Sequence, residues 1–126
     1  MWGYTQHPFR YRPQQLELNG LLRNFILLQG KLLELEQMEV KQVLEVPSFS
    51  SANDCEQLVA VEGHLYATNG TDVFEVQFGE QYGEDKSDVR LETLASIGDG
   101  SLQLYQFGSV LAARDDSSWF VRTKDF

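Results

Sequence analysis

A short unit recurs three times along this 126-residue chain: an apolar stretch, a glycine, and a second apolar stretch. The windows are Phe25-Ile26-Leu27-Leu28-Gln29-Gly30-Lys31-Leu32-Leu33, Leu58-Val59-Ala60-Val61-Glu62-Gly63-His64-Leu65-Tyr66 and Leu104-Tyr105-Gln106-Phe107-Gly108-Ser109-Val110-Leu111. Apolar stretches this short suit strands better than helices. A glycine within a strand permits a bulge or a sharp bend, which lets one strand serve two sides of a closed barrel. The second and third windows continue in step at an offset of 45. That offset aligns Gly63 with Gly108, Ala67 with Ala112, Phe74 with Trp119 and Val76 with Val121. The pattern predicts an all-β, mainly antiparallel fold.

Turn signals separate the remaining apolar segments. Asn69-Gly70 stands between Leu65-Tyr66-Ala67 and Val73-Phe74-Glu75-Val76-Gln77-Phe78, a strong short-range hairpin signature. Asn69-Gly70-Thr71 also fits a glycosylation sequon, and the turn is the preferred reading. Asp99-Gly100 is expected to play the same part before Leu102–Phe107, whose strict alternation marks a half-buried strand. Val110–Ala113 and Trp119–Thr123 complete a last hairpin around the polar turn 114–118.

Two segments are ambiguous. Residues 14–46 are rich in Leu, Glu, Gln and Lys, and Leu18, Leu21, Phe25, Leu28, Leu32 and Leu35 keep helical spacing. Asn19-Gly20 and Gly30 oppose one long helix, since an interior glycine costs about 1 kcal/mol relative to alanine. The preferred alternative is a short helix around 14–24, then strands Phe25–Leu28 and Leu32–Leu35. Residues 87–97 carry a candidate N-cap in Ser87 and a stop at Gly98, and a short helix is favoured there too.

The first thirteen residues hold Trp2, Tyr4, Phe9 and Tyr11 among His7-Pro8 and Arg12-Pro13. Proline and the residue before it disfavour helix, so an extended arm is expected over 1–13, lying on its own body in the preferred reading or docking on a partner, with one β-rich domain over 14–126. The net charge is −9; the arm, with Arg10 and Arg12, is +2 and the rest −11. An acidic body repels phosphate backbones and anionic lipid, so autonomous binding of nucleic acid or membrane is not expected. The longest apolar run, Phe25–Leu28, is too short to span a bilayer. The start lacks the pattern of a secretory signal, and the single Cys55 cannot form an internal disulfide. An intracellular location, in cytoplasm or nucleus, is the expectation.

The 45-residue step resembles the four-stranded blades of β-propellers, which need four or more blades, so this chain would close only by oligomerising or by completing a partner. The order of elements is also similar to an OB-fold, a small closed five-stranded barrel with a helix between its third and fourth strands. A kinked strand around Gly30, the hairpin at Asn69-Gly70, a helix at 88–97 and a last hairpin over 102–123 carry that likeness. Gly100-Ser101-Leu102 through Val121-Arg122 resembles the closing hairpin of the smallest subunits of replication protein A and of telomere-capping trimers. The OB resemblance implies a nucleic-acid face using Tyr105, Phe107 and Trp119 for stacking and Arg114, Arg122 and Lys124 for phosphates, although the preferred reading places these aromatics in a barrel core. Asp115 and Asp116 in the last hairpin loop oppose that role.

No residue set points to catalysis or to a cofactor. His7 and His64 lack neighbours in metal-ligand spacing, and Cys55 has no sequence-local activating group. Glu80, Glu84, Asp85 and Asp88 lack the ordered ligand spacing of a calcium loop. The expectation is therefore a non-enzymatic accessory subunit of a larger complex that binds other proteins, with an assembly that processes nucleic acid as the sharper version. The candidate contacts are Trp2, Tyr4, Phe9, Arg10, Tyr11 and Arg12 on the arm, and Tyr105, Arg114, Trp119 and Arg122 on the body. A second reading is a carbohydrate-binding lectin that closes a propeller from several copies, with Tyr66 and Trp119 stacking on sugar. A third, from size and acidity, is a small chaperone or immunity protein.

Overall fold

The computed structural model describes residues 12–28, 30–37, 39–44 and 57–122. They form eleven strands in three antiparallel meanders that follow chain order. The first sheet is β1 (Gln14–Leu18), β2 (Leu21–Leu28), β3 (Lys31–Glu36) and β4 (Glu39–Val43). The second is β5 (Gln57–Val61), β6 (His64–Thr68), β7 (Asp72–Phe78) and β8 (Val89–Ser96). The third is β9 (Gln103–Phe107), β10 (Val110–Arg114) and β11 (Trp119–Arg122). The all-β expectation holds. The described strands fall into separate sheets, and no closed barrel is found among them.

The second sheet lies between the other two and is buried on both faces. Leu58, Leu65, Ala67 and Val76 pack with Leu16, Phe25, Leu27 and Leu32 of the first sheet. Val59, Val61, Tyr66 and Val73 pack with Leu104, Leu111 and Ala113 of the third. Leu58 and Val59 are adjacent in the chain yet belong to different cores, because successive residues of a strand point to opposite faces. The first strands of the sheets are neighbours, β5 lying beside both β1 and β9.

Both expected helices are strands. Over 14–24 the helix-forming composition yields to a hairpin in which β1 and β2 pair from Leu18↔Leu21 outward. Its turn takes φ of 54° at Asn19 and 82° at Gly20, the left-handed pair that a two-residue hairpin requires and that Asn-Gly supplies at least cost. Over 87–97 the chain forms β8, paired along β7. A register shift between Val73 and Phe74 changes its phase, so Val89 and Leu91 face one core while Leu94 and Ala95 face the other. That bulge creates the helix-like spacing of the apolar residues. The backbone N–H and hydroxyl of Ser87 bind Asp85 Oδ1 in a local turn instead of capping a helix.

The recurring glycines are turn residues, not bends within strands. Gly63 (φ 79°) follows Glu62 (φ 51°) between β5 and β6. Gly30 lies between β2 and β3, so it answers to the Asn69-Gly70 turn and not to Gly63; the counterpart of Gly63 is Gly20. In the third sheet Phe107 pairs with Val110, so the turn is Gly108-Ser109 with its glycine first instead of second. The second and third sheets therefore repeat at 46 residues, not 45. One residue matters, since a slip of one exchanges the two faces of a strand. Asp99-Gly100 is likewise no hairpin; it lies in the connection from β8 to β9, where the N–H groups of Gly98, Gly100 and Leu102 bind Thr71 and Gly70 carbonyls.

Candidate functional site

The hairpin registers bring out a repeat that the glycines conceal. Gln14-Gln15-Leu16-Glu17-Leu18, Gln57-Leu58-Val59-Ala60-Val61 and Gln103-Leu104-Tyr105-Gln106-Phe107 are the equivalent first strands. In the first two, the leading glutamine does the same thing. Gln14 Oε1 accepts the backbone N–H of Ala60 at 3.0 Å, and Gln57 Oε1 accepts that of Leu104 at 2.6 Å. Each thereby ties its own sheet to the first strand of the next one. Gln103 stands in the same place in the third sheet, where its Oε1 is 3.4 Å from the Tyr105 hydroxyl.

The third and fifth residues of each strand follow the same rule. Leu16 and Leu18 face the second sheet, and Val59 and Val61 face the third. Their counterparts Tyr105 and Phe107 face outward, with Ala112 and Val121 in register beside Tyr105 and Val110 beside Phe107. Phe107 is 62% exposed, Trp119 60% and Val121 57%. The Tyr105 and Phe107 rings stack with centroids 6.4 Å apart, and the Arg114 guanidinium lies 5.2 Å from the Trp119 ring centroid. This outer face is the strongest candidate site: an apolar sheet surface with one stacked cation. Isolated exposed apolar residues are ordinary, whereas a contiguous group on one sheet face marks an interaction surface.

Tyr105, Phe107, Arg114 and Trp119 of the sequence candidates come together here. Arg122 points to the other face of the third sheet, 3.9 Å from Glu75, whose second oxygen is 2.7 Å from His64 Nδ1. Tyr66 is buried between sheets. Burial and the nearby Glu75 charge raise its hydroxyl above the ordinary value. Arg12 is exposed, and its carbonyl accepts from Gln14 Nε2 at 3.5 Å. Trp2, Tyr4, Phe9, Arg10, Tyr11, His7, Cys55 and Lys124 lie outside the described residues. Val121 is not among the sequence candidates; its signal is alternation on an end sheet, and which face lies outward can be read only once the sheets are placed.

A second polar group joins the first two sheets. Glu34 is buried and accepts from Arg23 Nη1 (2.9 Å), Gln42 Nε2 (2.7 Å) and the Tyr82 hydroxyl (2.8 Å). Arg23 also lies 5.3 Å from the Tyr82 ring centroid. Burial alone would raise the Glu34 carboxyl, but the hydrogen bonds from Tyr82, Gln42 and Arg23 outweigh it and hold the group below its ordinary value. Burial and the Glu34 charge push the Tyr82 hydroxyl far above its ordinary value. Glu34, Gln42 and Tyr82 bond one another, and Glu34 also takes Arg23 Nη1. The buried Arg23 Nε has no hydrogen-bond partner among the described residues, so the cluster is a structural tie with one unmet donor.

In the loop after β7, Asp85 binds Ser87 and Asp88 accepts the Gln81 N–H, while Glu80 and Glu84 are exposed. Among the described residues no three His, Cys, Asp or Glu side chains gather to hold a metal ion, and no helix is long and apolar enough to cross a membrane. No protein family, no curated protein and no solved structure matches this chain.

Proposed function

We propose that the chain is a non-enzymatic protein-binding subunit, and that the outer face of its third sheet is the surface by which it docks. The observation that carries this reading is the equivalence of Tyr105, Phe107 and Ala112 with Val59, Val61 and Tyr66. The second group is buried against a following sheet, and among the described residues no sheet covers the first. Ala112 is buried among its neighbours and Tyr105 half-buried, but Phe107, Trp119 and Val121 around them are exposed. An exposed apolar group on a face patterned for burial has a partner as its natural complement. The acidic body favours a protein partner over nucleic acid.

Three sequential meanders with adjacent first strands support a blade-like, propeller-type reading over the closed OB-type barrel, which would need hydrogen-bonded pairing between the sheets. The test is capture of binding proteins from native extract by the full chain and by Phe107→Asp/Val121→Asp. Proteins held by the native chain and lost from a variant of equal melting temperature support the reading. Identical capture by both chains, with no difference in self-association either, sinks it.

A further inference from the structure

The third sheet's outer face and the first sheet's outer face are the two ends of one repeating stack, and they are related as the two sides of each internal contact are. Position by position, the outward Leu22 and Leu35 of the first sheet correspond to Leu65 and Phe74, which the second sheet presses against the first. Leu33, itself buried, shares the side of Leu35, with the exposed Val40 and Val43 in register beside them. Leu22 is 64% exposed and Val40 56%. One end thus carries the features of a sheet awaiting a successor, and the other those of a sheet awaiting a predecessor.

We infer that the occupant of both faces is a second copy of this chain: the third sheet of each copy packs on the first sheet of the other, closing a six-sheet ring. The inference rests on the docking reading above and names its partner. Contact between unlike faces makes rings when the rotation closes. Propellers typically contain four to eight sheets, so with three sheets among the described residues of each chain two copies fall within the range and three do not.

Gln103 supplies a polar contact for the same joint. In the two internal joints the acceptors are Gln14 and Gln57, and the donors are the N–H groups of Ala60 and Leu104. The first-strand positions equivalent to those donors are Glu17 and Gln15. Gln103 Oε1 therefore accepts a backbone N–H from Gln15 or Glu17 of the second copy. Arg114 on one face and Glu17 on the other add opposite charges to the joint.

The test uses the full chain and sedimentation mass at micromolar concentration. Alongside it run the end variant Phe107→Asp/Val121→Asp, the opposite-end variant Leu22→Lys/Val40→Lys, and their equimolar mixture. The native chain is expected at twice 14.4 kDa, each variant alone at 14.4 kDa, and the mixture again at twice that mass, because one joint of unsubstituted faces is restored. Gln103→Ala should weaken the dimer about tenfold per joint, the effect of one hydrogen bond. The four substituted residues, two on each face, are surface positions, and circular dichroism with matched melting checks that the variants fold. A native chain that stays at 14.4 kDa, variants that dimerise alone, or a mixture that stays monomeric overturns the inference. A monomer that still captures another protein through Phe107 and Val121 overturns the second-copy assignment and leaves the docking reading standing. Loss of both overturns the two together.

Discussion

Asn69 and Asp115, 46 residues apart, make the same turn in the second and third sheets. Asn69 Oδ1 accepts the N–H groups of Thr71 (3.0 Å) and Asp72 (2.8 Å); Asp115 Oδ1 accepts those of Ser117 (2.9 Å) and Ser118 (2.8 Å). This side-chain turn fixes the step of 46 independently of strand pairing. Asp115 does more than Asn69, since its other oxygen accepts the Asp99 N–H at 3.0 Å in the segment that leads into the third sheet.

Replacing Asp115 should therefore loosen the third sheet. Asp115→Ala is expected to lower Tm by several degrees in thermal unfolding at neutral pH. Asp115→Asn keeps the Oδ1 acceptor, as Asn69 shows, but sets an amide N–H against the Asp99 N–H, and should recover only part of that loss. Equal melting of the alanine variant and the native chain would contradict the role.

Glu34 and Arg23 form a buried pair, with side chains 3% and 11% exposed. Removing one partner strands the other charge, so Glu34→Ala is expected to cost about 3 kcal/mol in urea unfolding. The double change Arg23→Met/Glu34→Leu removes both charges and should cost much less than the sum of the single changes.

The same cluster sets two pH limits. The folded state holds Glu34 below its ordinary 4.5, so its stabilisation is present above that pH and fades as acid protonates it. Tyr82 is raised in the fold, so its contribution is complete below 10, its ordinary value, and fades as alkali ionises the unfolded chain more readily. Melting temperature against pH should fall at both ends. Glu34→Gln should flatten the acid limb and Tyr82→Phe the alkaline one.

Much of the strand content was legible because alternation and turn chemistry act locally. The Leu58–Ala67 hairpin, Val73–Phe78 and the final hairpin all form as their patterns require. β1 was not legible, because its Gln and Glu residues carry no apolar signal beyond Leu16 and Leu18. β8 was hidden by its bulge. The repeat was half seen: glycines drew attention to the turns, while the third turn carries its glycine one place earlier than the second. Gln14, Gln57 and Gln103, at steps of 43 and 46, are the better markers. Their meaning becomes plain only when two of them are found bonded to a neighbouring sheet. Trp119 and Tyr105 could be singled out as aromatics, but the face they share depends on pairing through Ala112 and Arg114.

Charge offers a further check on the joint. The chain bears −9, so two copies repel at long range while their apolar faces attract at contact. Added salt should screen that repulsion and strengthen self-association in sedimentation equilibrium. A dimer that dissociates as salt rises would show instead that ion pairs such as Arg114 with Glu17 dominate.

The most direct measurement is the exposure of Trp119. The chain has two tryptophans, and Trp2→Phe leaves Trp119 as the only reporter. As concentration rises from nanomolar to micromolar, its emission should shift to the blue and acrylamide quenching should fall, while the same protein carrying Phe107→Asp stays fully quenchable. Trp119 that remains equally quenchable at every concentration would contradict the account.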